Sequence, residues 1–324
     1  MRQEKLIPLI EYARLTDTPE STLRLQIRAG RLKAIRLGRY WYVPVENEIP
    51  TPNRHAKVYT LFTHAGGAGK TSLARDLGFE LASLGHRVLL IDADPQANLT
   101  AWLGLDPGEI EDKATLLFVV EGKGLPEPQA AVLERVALDL VPANMNLALA
   151  EVTVPTKTLG MMLLRTALHE SGVLEQYDFV LVDSPPSLGS IAAMAALAGD
   201  GLIVPVETSA KGIQALRAVV EVSRDYLKTL KALRFVPQTR SQFIVLLVPT
   251  KYDPRTLQDR KVKQLLEKAE SLGPWAKALS CRPGPYKEAI DRALPVQAVG
   301  DGRLREEIRA LSETFLHLTQ EDLA

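Results

Sequence analysis

One segment with three glycines and a lysine, residues 64–72 (HAGGAGKTS), constrains the fold of this 324-residue chain more than any other. It follows an apolar run and precedes a helical pattern, so the sequence predicts a strand, a glycine loop and a helix in succession. Glycine permits backbone angles closed to other residues, and the loop N–H groups can then surround a phosphate at the positive end of the helix. The predicted phosphate-binding residues are Gly66, Gly67, Ala68, Gly69, Lys70, Thr71 and Ser72.

Two side chains of this loop have the chemistry that a nucleoside triphosphate requires. The ammonium of Lys70 can reach the β- and γ-phosphates, and the hydroxyl of Thr71 suits Mg²⁺ as a ligand. The alternative is an ordinary glycine turn followed by a solvated lysine. The position of the segment between a strand and a helix favours the phosphate site.

Carboxylates follow two other apolar runs of the chain. Asp92 and Asp94 end the run LLIDAD, and Asp183 ends FVLVD. Because the carboxyl ends of parallel strands meet at one edge of a sheet, we expect these side chains near the glycine loop. There a carboxylate can hold Mg²⁺ through water or orient an attacking water. An aspartate after a strand can also be a helix cap, and the presence of the loop favours the metal role.

Apolar runs alternate with helical patterns from residue 57 onward. This order predicts an α/β fold with a mainly parallel sheet covered by helices on both faces. Six runs indicate buried strands, namely VYTLFT, RVLLID, VALDLVPA, FVLVD, GLIVPVE and FIVLLVPT. The helical patterns that supply the crossovers lie at residues 71–84, 159–170, 191–197, 212–231 and 256–271.

Charge is distributed unevenly along the chain although its totals cancel. Lys plus Arg and Asp plus Glu both number 39, but residues 1–44 hold nine basic and four acidic residues, a net charge of +5. A small basic module joined to a larger body is typical of nucleic-acid binding. Residues 45–57 contain two prolines and no periodicity. We therefore predict a module at residues 1–50, a stiff linker at 51–57 and the main domain at 58–324.

Cysteine usage and hydropathy indicate a cytoplasmic protein. Cys281 is the single cysteine, and the five histidines lack ligand spacing, so we expect neither a disulfide nor a thiolate metal site. The start of the chain lacks the apolar segment of a secretion signal, and the longest apolar stretch, residues 191–198, is too short to cross a bilayer. We expect no membrane partner.

Several segments resemble the ParA family of DNA-partitioning ATPases, relatives of MinD in the deviant Walker-A group. They are HAGGAGKTS, DADPQANLT and VDSPPSLGS, followed by VPVETSAKGIQAL and VPTKYDPRTLQDRKV. The resemblance runs from about residue 57 to the end of the chain. It implies a homodimer that encloses ATP and Mg²⁺, binds DNA without sequence preference and is stimulated to hydrolyse ATP by a ParB-type centromere-binding protein. It also implies a cytoplasmic location on the nucleoid or on plasmid DNA.

Functional residues carry over from the resemblance position by position. The resemblance implies that Lys70 and Asp94 are catalytic, and that Asp94 activates or positions the water. The metal would be held by Thr71, Asp94 and Asp183. Arg282 and Pro283 would flank the adenine. Three further residues match a segment near the base and the dimer edge, namely Pro249, Asp253 and Arg255.

One position departs from the family pattern. Ala65 stands where the family has a lysine that reaches across the dimer to the phosphates of the partner. A cation supplied in trans can be worth roughly 10³ to 10⁵ in rate, so we expect slow hydrolysis. The alternative is a nucleotide-gated repressor or DNA-binding adaptor that binds ATP with little or no hydrolysis. A MinD-like membrane positioner is a third interpretation, which the chain opposes because it lacks a basic amphipathic helix at its end.

Residues 6–44 show two short helical patterns followed by a strand, a turn and a second strand. The segment PESTLRLQIRAGRLKAIRLGRYWYVP resembles the winged helix-turn-helix modules of excisionases and MerR-like proteins, in which one helix enters the major groove and the wing touches phosphate. This resemblance implies autoregulatory, site-specific DNA binding. In the alternative interpretation, the aromatic residues 40–42 fill a small core and the arginines are solvated. The predicted DNA contacts are Thr22, Arg24, Arg28, Arg36, Arg39 and Tyr40.

Overall fold

In the computed structural model the chain divides into two compact units, Met1–His55 and Ala56–Ala324. The structure describes residues 5–9, 12–13, 23–24, 27, 32–37, 40–45, 56–133 and 136–321.

Three short strands form an antiparallel sheet in the amino-terminal unit. They are β1 (Lys5–Pro8), β2 (Ile35–Leu37) and β3 (Tyr40–Val45), in the spatial order β1-β3-β2. β2 and β3 are the strands that the sequence predicts on either side of a turn. β1 was not predicted, because its pairing with β3 joins residues about forty positions apart.

The described residues of this unit form a small apolar cluster. Leu9, Leu23 and Val43 are buried, and Trp41 packs against them. The guanidinium carbon of Arg36 lies 6.0 Å from the centroid of the Trp41 ring. Trp41 is therefore a packing residue of the unit, whereas Arg36 is exposed. The winged helix-turn-helix assignment stays a prediction, because most of both predicted helices lies outside the described residues.

A seven-stranded sheet organises the second unit. Its spatial order is β10-β9-β4-β8-β5-β7-β6, in which β6 is antiparallel to β7 and the other pairs are parallel. The strands are β4 (Lys57–Leu61), β5 (Val88–Asp92), β6 (Gln129–Leu133), β7 (Val136–Val141), β8 (Phe179–Asp183), β9 (Gly201–Glu207) and β10 (Ile244–Thr250). The predicted α/β class with a mainly parallel sheet is confirmed.

Helices cover both faces of this sheet. They are α1 (Lys70–Ser83), α2 (Asn98–Trp102), α3 (Leu116–Val120), α4 (Ala150–Thr153), α5 (Leu163–Glu170), α6 (Ser190–Ala198), α7 (Ala210–Ala232), α8 (Leu257–Glu267), α9 (Pro283–Asp291) and α10 (Gly302–Glu321). All five predicted helices are present, and four of them connect strands of the sheet, whereas α8 follows the last strand, β10, and is not a crossover. α5 begins four residues later than predicted, because Leu159 is left-handed with φ of 54° and a single 3₁₀ turn follows it.

Alternate residues of the central strands pack on opposite faces of the sheet. On one face Tyr59 and Leu61 pack with Phe315 of α10, and the rings of Tyr59 and Phe315 meet edge to face at 5.1 Å. On the other face Val58 packs with Met194 of α6. Burial on both faces explains why the strands appear in the sequence as continuous apolar runs rather than alternating ones.

Among the helices that the structure describes, none is both long enough and apolar enough to cross a membrane.

Candidate nucleotide-binding site

The glycine loop lies between β4 and α1, and α1 begins at Lys70. Gly67 and Gly69 have φ of 76° and 96°, in the left-handed region that favours glycine. Gly69 precedes the first turn of α1, and no side chain in the described part of the chain caps that turn. The backbone N–H groups of the first turn of α1 are therefore available to an anion, as the sequence predicts for a phosphate loop.

Lys70 is held in place by the backbone at the start of the loop. Its side chain is buried, and Nζ donates a hydrogen bond to the carbonyl oxygen of Thr63 at 2.9 Å. Burial lowers the pKa of Lys70, while the carboxylates of Asp183 and Asp94 raise it. The three predicted side chains Lys70, Asp94 and Asp183 thus lie close enough to interact, at the carboxyl edge of the sheet.

Asp183, the last residue of β8, is fully buried. Neither of its carboxylate oxygens accepts a hydrogen bond of ordinary geometry within the described part of the chain, although the hydroxyl of Thr71 lies close enough to lower its pKa. Burial raises the pKa of Asp183 well above its ordinary value, and the charge of Asp92 adds to this effect, whereas Thr71 and Lys70 oppose it. A buried carboxylate with so little hydrogen bonding is costly, and it is an acceptor group that a hydrated cation would satisfy.

Asp92 braces the site rather than facing a ligand. Its Oδ2 accepts hydrogen bonds from the N–H and the hydroxyl of Thr100, at 2.9 and 2.8 Å, and its Oδ1 accepts one from the N–H of Asp94 at 3.1 Å. The Thr100 hydroxyl in turn accepts the N–H of Ala143 at 2.9 Å. Burial raises the pKa of Asp92 to about 6. These bonds tie the loop after β5 to α2 and to the end of β7.

Asp94 lies in the loop that Asp92 braces. It is 7% exposed, and its Oδ1 accepts the N–H of Gln96 at 2.9 Å. The hydrogen bond restricts the orientation of the carboxylate, and the residue keeps a small exposed fraction. This arrangement suits a group that positions a water beside the phosphate loop.

A mainly apolar cavity of about 480 Å³ opens beside the glycine loop. One wall is formed by Gly67, Gly69 and Ser72, and the other by residues 279–283 and by α9. The predicted base-flanking residues Arg282 and Pro283 line this cavity, and Arg282 forms an ion pair with Asp301. A concave apolar site next to a phosphate loop fits a nucleobase and its ribose.

Pro249, Asp253 and Arg255 lie at or just beyond the end of β10. Pro249 is within the strand, and Asp253 and Arg255 form an ion pair with each other. Asp253 and Arg255 line a second cavity that shares residues 280–282 with the first one. The structure thus places these two side chains next to the base-side wall rather than at the phosphate loop.

Ala65, the position of the absent lysine, is a packing residue. Its side chain is 6% exposed and lies with Ala68 and Ala215 of α7 in a cluster of alanines.

A lysine that the sequence analysis missed lies at the loop. Lys251 directly follows β10, and its Nζ is 3.6 Å from the position that a Cβ on Gly67 would occupy. It also forms an ion pair with Glu207, the last residue of β9, at 3.4 Å. The signal available in the sequence was its position after a predicted strand, which puts it at the same sheet edge as the aspartates.

The predicted DNA contacts belong to the amino-terminal unit. Arg24 and Arg36 are exposed, and the backbone of Tyr40 lies in β3. Thr22, Arg28 and Arg39 lie outside the described residues.

A phosphate loop in a mainly parallel sheet, with a buried lysine and two carboxylates beside it, defines a P-loop nucleotide-binding protein. A family model described as an AAA domain matches residues 56–232. The "Probable plasmid-partitioning protein ParA" of Thermus thermophilus is 50% identical over 316 residues, which cover 98% of this chain and 94% of that protein. The chain therefore belongs to the ParA-type P-loop ATPases.

Solved structures show the same fold. An McdA–ATP complex from Cyanothece is similar with a TM-score of 0.67 and 23% identity, over 81% of this chain and 96% of that one. Cobyrinic acid a,c-diamide synthase from Mycobacterium smegmatis, with bound ADP and magnesium, has a TM-score of 0.53 and 28% identity, over 66% of this chain and 82% of that one. Nucleotide and magnesium are thus ligands of proteins with this fold.

Proposed function

We propose that this protein is an ATP-dependent DNA-partitioning protein that dimerises around ATP, binds DNA and hydrolyses ATP slowly. The observation that carries the proposal is the buried carboxylate of Asp183, which lies beside the phosphate loop and Lys70 and accepts no hydrogen bond of ordinary geometry from the described residues. A bound cation and phosphate chain would supply the partners that this carboxylate and lysine need. The relative from Thermus thermophilus, named for plasmid partitioning, supports the biological role.

The residues present fit a magnesium ion bound with the nucleotide. The hydroxyl of Thr71 and the carboxylates of Asp183 and Asp94, directly or through water, would hold it. When bound, Mg²⁺ would offset the negative charge of the phosphates. Lys70 and the loop N–H groups would bind the phosphates, and Asp94 would orient the water that attacks them.

The DNA-binding part of the proposal assigns two modes to two units. The winged helix-turn-helix module at residues 1–50, joined through a linker at 51–57 to the ATPase domain at 58–324, would bind a specific site and regulate its own operon. The net charge of +5 in residues 1–44 supports this assignment. The ATP-bound homodimer would bind DNA without sequence preference, associate with the nucleoid or a plasmid, and respond to a ParB-type partner.

A second candidate function is a nucleotide-gated repressor or DNA-binding adaptor with little or no turnover. The observation that favours it is Ala65, because an alanine buried against Ala68 and Ala215 supplies no cation to a partner subunit. The two candidates agree on ATP binding and differ in hydrolysis.

Steady-state ATP hydrolysis at varied protein concentration distinguishes them. The assay contains Mg²⁺, with and without nonspecific DNA, and uses Lys70→Ala as the blank. Turnover above the blank that rises more than linearly with protein concentration and increases with DNA would support a dimer-dependent partitioning ATPase. Tight ATP binding without turnover, even with DNA and a partner protein from the same operon, would support the nucleotide-gated repressor instead. ATP binding by Lys70→Ala equal to that of the wild type would contradict both.

A further inference from the structure

We propose that Lys251 is a phosphate-binding cation supplied from within the same chain, at the loop where Ala65 cannot supply one from the partner. The inference rests on the proposed function, because it assumes that the glycine loop binds ATP. It assigns a role to a residue that the ParA-like motifs do not single out.

The backbone next to Lys251 is fixed to the glycine loop. Thr250, the last residue of β10, is buried, and its hydroxyl donates a hydrogen bond to the carbonyl oxygen of Ala68 at 2.9 Å. Its Cγ2 also lies 3.9 Å from the position of a Cβ on Gly69. The carboxyl end of β10 therefore keeps a set distance from the loop, and so does the residue that follows it.

The backbone of Lys251 itself has an unusual conformation. Its φ of 57° lies in the left-handed region, which residues other than glycine rarely adopt. Such a conformation persists only where the surrounding structure enforces it, and it occurs often at ligand-binding positions. In this chain it accompanies a side chain that lies against the loop, with Nζ 3.6 Å from the Cβ position of Gly67.

The ammonium of Lys251 is close to the loop and still available to a ligand. Its ion pair with Glu207 is long, at 3.4 Å, and the Lys251 side chain is 47% exposed. An exposed ion pair of this kind contributes little to stability, so a phosphate oxygen can compete with Glu207 for the ammonium. In the absence of nucleotide, the ion pair with Glu207 keeps the Lys251 side chain beside the glycine loop.

The other cations near the cavity are placed differently. Lys70 is buried and donates to the carbonyl oxygen of Thr63, and Arg282 pairs with Asp301 on the base-side wall. Lys287 is exposed and lies on α9, which forms that same wall away from the glycine loop. Among the lining residues that the structure describes, Lys251 is the cation that combines proximity to the glycine loop with partial exposure. This combination is what the missing lysine at position 65 would otherwise contribute.

Equilibrium binding of Mg·ATP, Mg·ADP and AMP to Lys251→Met and Lys251→Arg tests the inference. We expect Lys251→Met to bind ATP on the order of tenfold more weakly, ADP less affected and AMP unchanged, since the lost interaction scales with phosphate charge. Lys251→Arg should restore most of the ATP affinity. The difference between wild type and Lys251→Met should shrink as salt concentration rises.

Two controls separate this inference from the proposed function and from misfolding. Lys228→Met, at an exposed position of α7, should leave all three affinities unchanged. Thermal unfolding without nucleotide should give the same midpoint for Lys251→Met and the wild type. ATP affinity of Lys251→Met within twofold of wild type, or an equal loss for AMP, would overturn the role of Lys251. If Lys70→Ala abolishes ATP binding in the same assay, a negative result for Lys251 leaves the proposed function standing. If Lys70→Ala still binds ATP, the proposed function itself is contradicted.

Discussion

The carboxylate of Glu151 occupies the space into which a Cβ on Gly189 would project. From that position its two oxygens accept hydrogen bonds from the N–H groups of Ser190 and Ile191, each at 2.9 Å. Glu151 thereby caps the first turn of α6 from α4. The loop between Asp183 and α6 begins at the candidate site. The cap fixes the other end of this loop, where α6 begins.

Replacing Gly189 with alanine should break this cap. The added methyl group displaces the Glu151 carboxylate and leaves two N–H groups of α6 without their acceptor, so we expect a loss of about 1 to 3 kcal/mol in the free energy of unfolding. Urea denaturation measures it. Gly302→Ala is the matched control, because a Cβ there meets nothing within 4 Å and the change should be neutral or slightly stabilising. Equal stability of Gly189→Ala and wild type would show that the cap contributes nothing.

Asp94→Ala should separate nucleotide binding from hydrolysis. The phosphate loop and Lys70 stay intact, so we expect Mg·ATP affinity within a few-fold of wild type. Turnover should fall by roughly 10²-fold or more, because the oriented carboxylate is lost. Phosphate release and equilibrium binding are measured on the same preparation. Glu109→Ala, an exposed acidic position in the same segment, should retain full turnover. Undiminished hydrolysis by Asp94→Ala would remove Asp94 from its role.

Asp183→Asn should have opposite effects on the free and the nucleotide-bound protein. Without nucleotide the substitution removes a buried acid whose ionised form is disfavoured by burial and by the charge of Asp92, so the midpoint of thermal unfolding should stay equal or rise. With Mg·ATP the increase in the midpoint should be smaller than in wild type, because the group that supports the cation is gone. A lower midpoint without nucleotide, together with a full Mg·ATP effect, would show that Asp183 is structural.

Long apolar runs made the central sheet predictable, whereas short elements were not. Strands such as β8 and β10 are buried on both faces and appear as four consecutive apolar residues before Asp183 in β8 and as six apolar residues before Thr250 in β10. β6 is an edge strand of five residues with two alanines, and it forms by pairing with β7. Helices α2 to α4 have four or five residues, which is less than two turns and too short for a periodic pattern.

The chemistry of the site was predictable where it followed from strand ends, and unpredictable where it depended on contacts between distant residues. The sheet-edge rule correctly brought Asp94 and Asp183 to the phosphate loop. The same rule could not predict that Asp92 has a structural role and Asp94 a position facing the site, because the role of Asp92 depends on its hydrogen bonds with Thr100. The place of Lys251 depends on a hydrogen bond between Thr250 and Ala68, which lie 182 positions apart.

The exposed guanidinium of Arg36 offers a test of DNA binding by the amino-terminal unit. It lies on β2 beside the ring of Trp41, which packs against the small apolar cluster of the unit. Substitution of an exposed arginine leaves that cluster intact, so Arg36→Ala should fold as the wild type does. If the arginine contacts a phosphate, its removal weakens binding and releases about one counterion fewer.

We therefore expect Arg36→Ala to bind a DNA fragment from its own operon more weakly, with the slope of log K against log salt concentration reduced by about one. Fluorescence anisotropy titrations at salt concentrations from about 50 to 300 mM measure the slope, because phosphate contacts dominate the affinity in this range. Lys228→Ala in α7 is the control for a general loss of positive charge and should keep the wild-type slope. Because a single phosphate contact acts on all sequences alike, the ratio of specific to nonspecific affinity should stay constant. An unchanged slope would exclude Arg36 as a phosphate contact, and a changed ratio with an unchanged slope would indicate that it contacts a base instead.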